Sequence, residues 1–115
     1  MIEATCHCGA VRFEVARVPD TATDCNCSVC RRLGALWAYY SPAEVKLTTP
    51  EAAIGAYAWG DKDLAFHHCQ VCGCTTHWSP LNGADRMAVN ARLMAPQVLA
   101  AAKIRYFDGA AMGRG

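Results

Sequence analysis

The chain has 115 residues, of which 53% are hydrophobic and 18% charged, and its formal net charge is +1. That length suits one domain, and the balance is that of a globular rather than a disordered chain. The near-neutral charge argues against a surface built for nucleic-acid phosphates, and no stretch approaches the roughly 18 apolar residues of a membrane span.

Met1-Ile2-Glu3-Ala4-Thr5-Cys6 lacks a charged segment followed by an apolar run, so no export signal is expected. A cytoplasmic location follows, where thiols stay reduced. The first cysteines, Cys6 and Cys8, lie just before Val11-Arg12-Phe13-Glu14-Val15, which alternates apolar and polar residues as a half-buried strand does. Cys25-Asn26-Cys27-Ser28-Val29-Cys30 comes next, and a helical turn is expected after Cys30. Leu36 to Tyr40, Val45 to Thr48 and Ile54 to Trp59 read as strands, the first ended by Ser41-Pro42 and the last by Gly60-Asp61. Leu64 to Cys69 runs into the third cluster, Cys69-Gln70-Val71-Cys72-Gly73-Cys74, and Thr75 to Trp78 leaves it. Pro80 with Asn82-Gly83 predicts a turn, followed by strands over Arg86 to Asn90 and Ile104 to Phe107. Between them Pro96 can open a short helix through Ala102. About eight short strands and little helix predict a mainly β fold of one domain over residues 1–108. The small, glycine-rich residues 109–115 predict a flexible tail.

The eight cysteines fall into three tight clusters. Disulfide frameworks scatter their cysteines so that each bridge closes a loop, whereas thiols two or three residues apart suit one metal ion, and zinc above all. Cys6, Cys8, Cys69 and Cys72 can form a closed four-sulfur site that pins an early and a late strand together, with Gly73 permitting the turn after the C-x-x-C knuckle. Cys25, Cys27 and Cys30 then offer three thiolates from one loop and leave a fourth position open, where a substrate sulfur would lose its proton. One zinc with spare thiols, or two sites sharing ligands differently, satisfies the same spacing. Cys74 is left over: a small buried hydrophobe, or a fourth thiolate or redox partner for the three-cysteine loop.

Three elements resemble a known family. Cys6-His7-Cys8-Gly9-Ala10-Val11-Arg12-Phe13 is similar to its C-x-C-G-x-V-x-F opening. Cys25-Asn26-Cys27-Ser28-Val29-Cys30-Arg31-Arg32-Leu33-Gly34 is similar to its C-x-C-S-x-C-R-[KR]-x-x-G element, one residue tighter at the glycine. Phe66-His67-His68-Cys69-Gln70-Val71-Cys72-Gly73 is similar to its F-x-x-C-x-x-C-G element. The family is the glutathione-dependent formaldehyde-activating enzymes, whose domain is shared with centromere protein V. The resemblance implies a β-tent fold of short antiparallel strands with zinc knuckles. It also implies a structural zinc on Cys6, Cys8, Cys69 and Cys72, and a catalytic zinc on Cys25, Cys27 and Cys30. The implied activity is carbon–sulfur lyase chemistry on a small thiol adduct, with glutathione or its formaldehyde adduct as partner. The rivals are a non-catalytic zinc-stapled interaction module, a methionine-sulfoxide reductase, against which the C-x-C opening counts, and a DNA-binding zinc ribbon, against which the charge counts.

The remaining polar residues have bland and sharp readings. His7 reads as a loop residue between two ligands. His67 and His68 are adjacent on a strand and must face opposite sides. His77 is a half-buried structural histidine or an acid–base group near the reactive loop. Arg31 and Arg32 are a solvated pair, or they compensate the thiolates or hold a substrate carboxylate. Trp37, Tyr39, Tyr40, Trp59 and Trp78 are core or sheet-face residues by default, of which one or two can line a pocket.

Overall fold

The computed structural model describes residues 2–60 and 62–112. Its strands in chain order are β1 (Ile2–Thr5), β2 (Arg12–Val15), β3 (Thr21–Cys25), β4 (Trp37–Tyr40), β5 (Val45–Leu47), β6 (Ile54–Tyr57), β7 (Leu64–Cys69), β8 (Thr75–Pro80), β9 (Met87–Asn90) and β10 (Lys103–Phe107). Two short helices, α1 (Cys30–Leu33) and α2 (Pro96–Ala101), join them. The mainly β fold is therefore as expected, with α1 being the helical turn foreseen after Cys30.

The strands form two sheets. The smaller has the order β1-β2-β5 and the larger β10-β3-β4-β9-β8-β7-β6. Every named pairing is antiparallel except that of β10 with β3, which runs parallel from Lys103↔Thr21 to Phe107↔Cys25. Alternation along each strand gives the larger sheet two different faces. One packs on the smaller sheet, so that Ala4, Val11, Phe13 and Val15 share a core with Ala22, Ala38, Tyr40, Met87 and Val89. The other carries Trp37, Phe66 and Ala88 beside Cys25, Cys27 and Cys30. All four residues of β9 are buried, as a central strand covered on both faces requires.

Two strands lie outside the expected set. Ile2–Thr5 is too short to show a period, and its pairing with β2 makes it a strand. Thr21–Cys25 is composed of small and polar residues and is recruited between two neighbours: Ala22 is 0% and Thr23 1% exposed. Pro80 ends β8 rather than lying in the turn, and β6 stops at Tyr57 instead of reaching Trp59. The tail expected over residues 109–115 is ordered in its first part. Gly109 is buried, Ala110–Met112 form a 3₁₀ turn, and Gly113, Arg114 and Gly115 lie outside the described residues. No helix among the described residues is long and apolar enough to cross a membrane.

One buried side chain ties three strands at the centre of the larger sheet. Asn90 Oδ1 accepts from the Leu36 N–H at 3.2 Å and the Arg92 N–H at 3.1 Å, and its Nδ2 donates to the Thr75 carbonyl at 2.9 Å. Alanine there leaves these backbone groups without a partner, and buried unsatisfied groups cost more than a hydrogen bond gains. Asn90→Ala is expected to lower the unfolding free energy by about 2–4 kcal/mol in urea titrations with an unchanged m-value.

Candidate metal centres and the aromatic cavity

The sulfurs of Cys6, Cys8, Cys69 and Cys72 converge, all within 4.8 Å of one another. Cys6 and Cys8 follow β1, and Cys69 and Cys72 come from the end of β7 and the turn after it, so the cluster joins the two sheets. Cys6 and Cys8 Sγ are 3.7 Å apart, and Cys8 and Cys69 Sγ 3.6 Å. Backbone amides aim at them. Val11 N–H donates to Cys6 Sγ at 3.3 Å, Ala10 N–H to Cys8 Sγ at 3.5 Å, and Val71 and Cys72 N–H to Cys69 Sγ at 3.4 and 3.5 Å. Such donors favour thiolate over thiol. Gly73, at φ +81°, closes the knuckle, and the Cys69 N–H donates to the Cys74 carbonyl at 2.9 Å.

Sulfurs this close cannot all ionise without a cation among them, and the cluster divides accordingly. The amides of Cys74 and Cys8 pull Cys72 down to about 5, and that of Cys72 lowers Cys69. The Ala10 amide pulls Cys8 the same way, but desolvation and hydrogen bonding to Cys69, Cys6 and Cys72 outweigh it and push Cys8 up to about 11. Four soft, amide-supported donors fit a tetrahedral zinc site.

The sulfurs of Cys25, Cys27 and Cys30 form the second convergence, again within 4.8 Å, and all three residues are buried. They leave β3 and turn into α1. The Cys30 N–H donates to Cys27 Sγ at 3.4 Å, and the Arg31 N–H to the Cys27 carbonyl at 3.1 Å. Burial raises Cys25 and Cys30. Burial also pushes Cys27 upward, but the Cys30 amide and the neighbouring thiols outweigh it, so this sulfur ionises most readily of the three. Trp37 Nε1 is buried beside the thiols, and its N–H, directed at Cys30, works against the effect of burial there. A buried N–H donor directed at one of three converging thiols favours the thiolate form, which is the form a metal ion would bind.

These thiols lie at one side of a cavity of about 330 Å³, whose wall includes Trp37, Tyr39, Trp59, Phe66, Trp78 and Phe107. More aromatics line it than the one or two expected, because alternation turns Trp37 and Tyr39 of β4, Phe66 of β7 and Trp78 of β8 to the same face.

The other candidates lie elsewhere. Cys74 sits half-buried at the first cluster, where the His7 amide and the Cys72 and Cys6 sulfurs act on it, and it does not join the three-thiol group. His7 is an exposed loop residue, as expected. Arg32 is directed to the Ser28 carbonyl at 2.8 Å, and Arg31 is exposed. His68 is exposed while His67 turns inward. His77 faces away from the three-thiol site, toward the smaller sheet. Its ring stacks on His67 with centroids 4.2 Å apart and meets Phe13 edge-on at 4.8 Å. Thr76 Oγ1 bonds to His77 Nδ1 at 2.9 Å and Ser79 Oγ to His67 Nε2 at 2.7 Å. Both rings line a separate cavity of about 440 Å³ with Phe13, Leu47, Ser79 and Met87.

Residues 1–108 match the family described as glutathione-dependent formaldehyde-activating enzyme. A crystal structure of a Rhodobacter sphaeroides protein, solved as a structural genomics target, superposes with a TM-score of 0.75 at 27% identity. The match covers 90% of this chain and 100% of that one.

His77 carries a pH signature of its own. Burial, and then the neighbouring His67, push it down to about 3. Its unfolded counterpart takes up a proton near pH 6.5, so the stability held above that pH is lost progressively as pH falls from 6.5 toward 3. The unfolding free energy of the protein is therefore expected to fall faster than that of His77→Gln between pH 6 and 4, by up to about 1 kcal/mol per pH unit. Paired urea titrations at each pH measure the difference, and parallel curves would contradict it.

Proposed function

Since this chain belongs to the glutathione-dependent formaldehyde-activating enzyme family, we propose that it is a zinc-dependent enzyme of the carbon–sulfur lyase type. It would join a small thiol to an aldehyde or release the aldehyde from the adduct. The observation that carries this reading is the convergence of three buried thiols on the wall of an aromatic cavity. Cys25, Cys27 and Cys30 would hold the reactive zinc, and Cys6, Cys8, Cys69 and Cys72 a structural one. Zinc held by Cys25, Cys27 and Cys30 would supply Lewis-acid activation that lowers the pKa of a substrate thiol toward neutral pH.

The chain's own residues supply the rest. Trp37, Phe66 and Trp78 exclude water and hold an apolar segment of the substrate against the thiols. In the forward direction the sulfur electron pair forms the S–C bond to the aldehyde carbon, the carbonyl π bond breaks, and the proton lost from sulfur ends on the oxygen. Nothing is oxidised or reduced. Two guanidinium groups stack on the cavity's aromatic residues, Arg86 4.0 Å over Tyr39 and Arg105 5.3 Å over Phe107. They suit a thiol that carries carboxylates, as glutathione does. The reducing cytoplasm is the compartment this chemistry needs. The position of Cys74 weighs against a non-catalytic module, because a fourth sulfur from Cys74 would have closed the second site and it lies at the first.

Zinc-loaded protein is expected to accelerate formation of the hydroxymethyl thioether from glutathione and formaldehyde, followed by NMR. Cys27→Ser should reduce this at least ~100-fold, since the metal's share of such a barrier is several kcal/mol. Zinc per chain should be two in the native protein and one in the Cys25/Cys27/Cys30 triple serine variant. An unchanged rate in Cys27→Ser, or no acceleration by either protein across a panel of thiols, would overturn the reading.

A further inference from the structure

The three-thiol loop is held from outside by the segment that follows β10. Parallel pairing ends at Phe107↔Cys25, and the two segments leave the sheet side by side. Asn26 lies between two of the cysteines, and three hydrogen bonds of its backbone and side chain run to this segment. Its backbone N–H donates to the Phe107 carbonyl at 3.2 Å, and its Nδ2 donates to Asp108 Oδ1 at 2.9 Å. Its Oδ1 accepts from the Ala110 N–H at 3.0 Å, and Asp108 Oδ1 also accepts from the Ala111 N–H at 3.2 Å. Between these bonds Gly109 is buried against the sulfurs. A Cβ built there would lie 2.9 Å from Cys25 Sγ, closer than real side chains approach, and a tight 3.0 Å from Cys27 Cβ. Gly109 does not need its freedom of backbone rotation here; it needs the space a side chain would occupy.

We propose that Asn26, Asp108 and Gly109 are positioning residues of the three-thiol site, a clamp that fixes Cys25 and Cys27 and walls off one side of the sulfurs. The aromatic cavity then remains as an open approach to them. The geometry stands by itself, and its consequence for metal rests on the zinc reading of Cys25, Cys27 and Cys30. Asn26 and Asp108 are exposed, so changing either tests the clamp with little hazard to folding.

The test compares Asp108→Ala, Asp108→Asn and Gly109→Val with the native protein. Both Asp108 changes remove the charge, but only asparagine keeps an Oδ1 acceptor for Asn26 and the Ala111 amide. Cobalt is loaded into both sites, and its loss from the second to a chelator is followed by its thiolate absorption, with retention at the first site and the melting temperature as folding controls. Asp108→Ala and Gly109→Val are expected to lose the second cobalt about 10–100-fold faster, while Asp108→Asn stays close to native. The second readout needs no metal: alkylation of Cys25 and Cys27 by iodoacetamide after chelation, resolved by mass spectrometry, should be faster in the same two variants. Should Gly109→Val fail to fold, the Asp108 pair decides. Native rates of both cobalt loss and alkylation in Asp108→Ala would overturn the clamp. A single metal per native chain would instead sink the zinc reading of this loop, and the alkylation rates alone would then decide the clamp.

Discussion

Four sulfurs and the amides that point at them fix the joint between the two sheets. Cys6 and Cys8 leave the smaller sheet, Cys69 and Cys72 leave the larger, and each pair brings its own amide donors. A hydrophobic core holds sheets together without specifying their register, because burial is not directional. Thiols within 4.8 Å are directional: they must be divided between protonated and ionised forms, or share a cation. In a chain of 115 residues, where the core is modest, such a joint carries a large share of what makes one arrangement of the sheets preferable to its neighbours.

With the joint fixed, the period-two geometry of the strands separates the chemistry. On β7 and β8 neighbouring residues face opposite sides: Phe66 and Trp78 meet the three thiols, while His67 and His77 meet the smaller sheet. His77 lies close in sequence to the third cysteine cluster, and sequence alone leaves open a partnership with the three-thiol loop. A single position decides it, because moving a residue one place along a strand moves it through the sheet. Burial then keeps this ring neutral and hydrogen-bonded to Thr76, where it serves packing between the sheets.

The parts of the fold that were legible are those in which local pattern and tertiary demand agree. Leu64–Cys69 has strand residues that are also buried, Ala65 on one face and Phe66 on the other, and its expected limits match β7. Pro96 opens α2 as its fixed φ allows. Thr21–Cys25 was not legible, because Thr23 and Ala22 become strand residues only when β4 and β10 cover them. The cysteine clusters were legible because metal-binding spacing is local. The role of Asn26 was not, since its side-chain partner Asp108 is 82 residues away and is brought near by a parallel pairing that no local pattern encodes. Gly109 was hidden for a related reason: in a run of small residues a glycine required for space looks like one required for nothing.

The two sulfur groups differ in how much of their geometry they can supply themselves. The first draws on two segments that arrive from different sheets, so four sulfurs surround a point from opposite sides. The second comes from one stretch of six residues, and three sulfurs on one loop define only one side of a site. Its remaining surroundings must come from elsewhere: Trp37 and Phe66 from the sheet face, Gly109 from the segment after β10. A loop with neither would be free to rotate its thiols toward solvent, where they are more easily oxidised or exchanged. The openness that suits a reactive site is thus set less by the cysteines than by which of their sides the rest of the chain leaves uncovered.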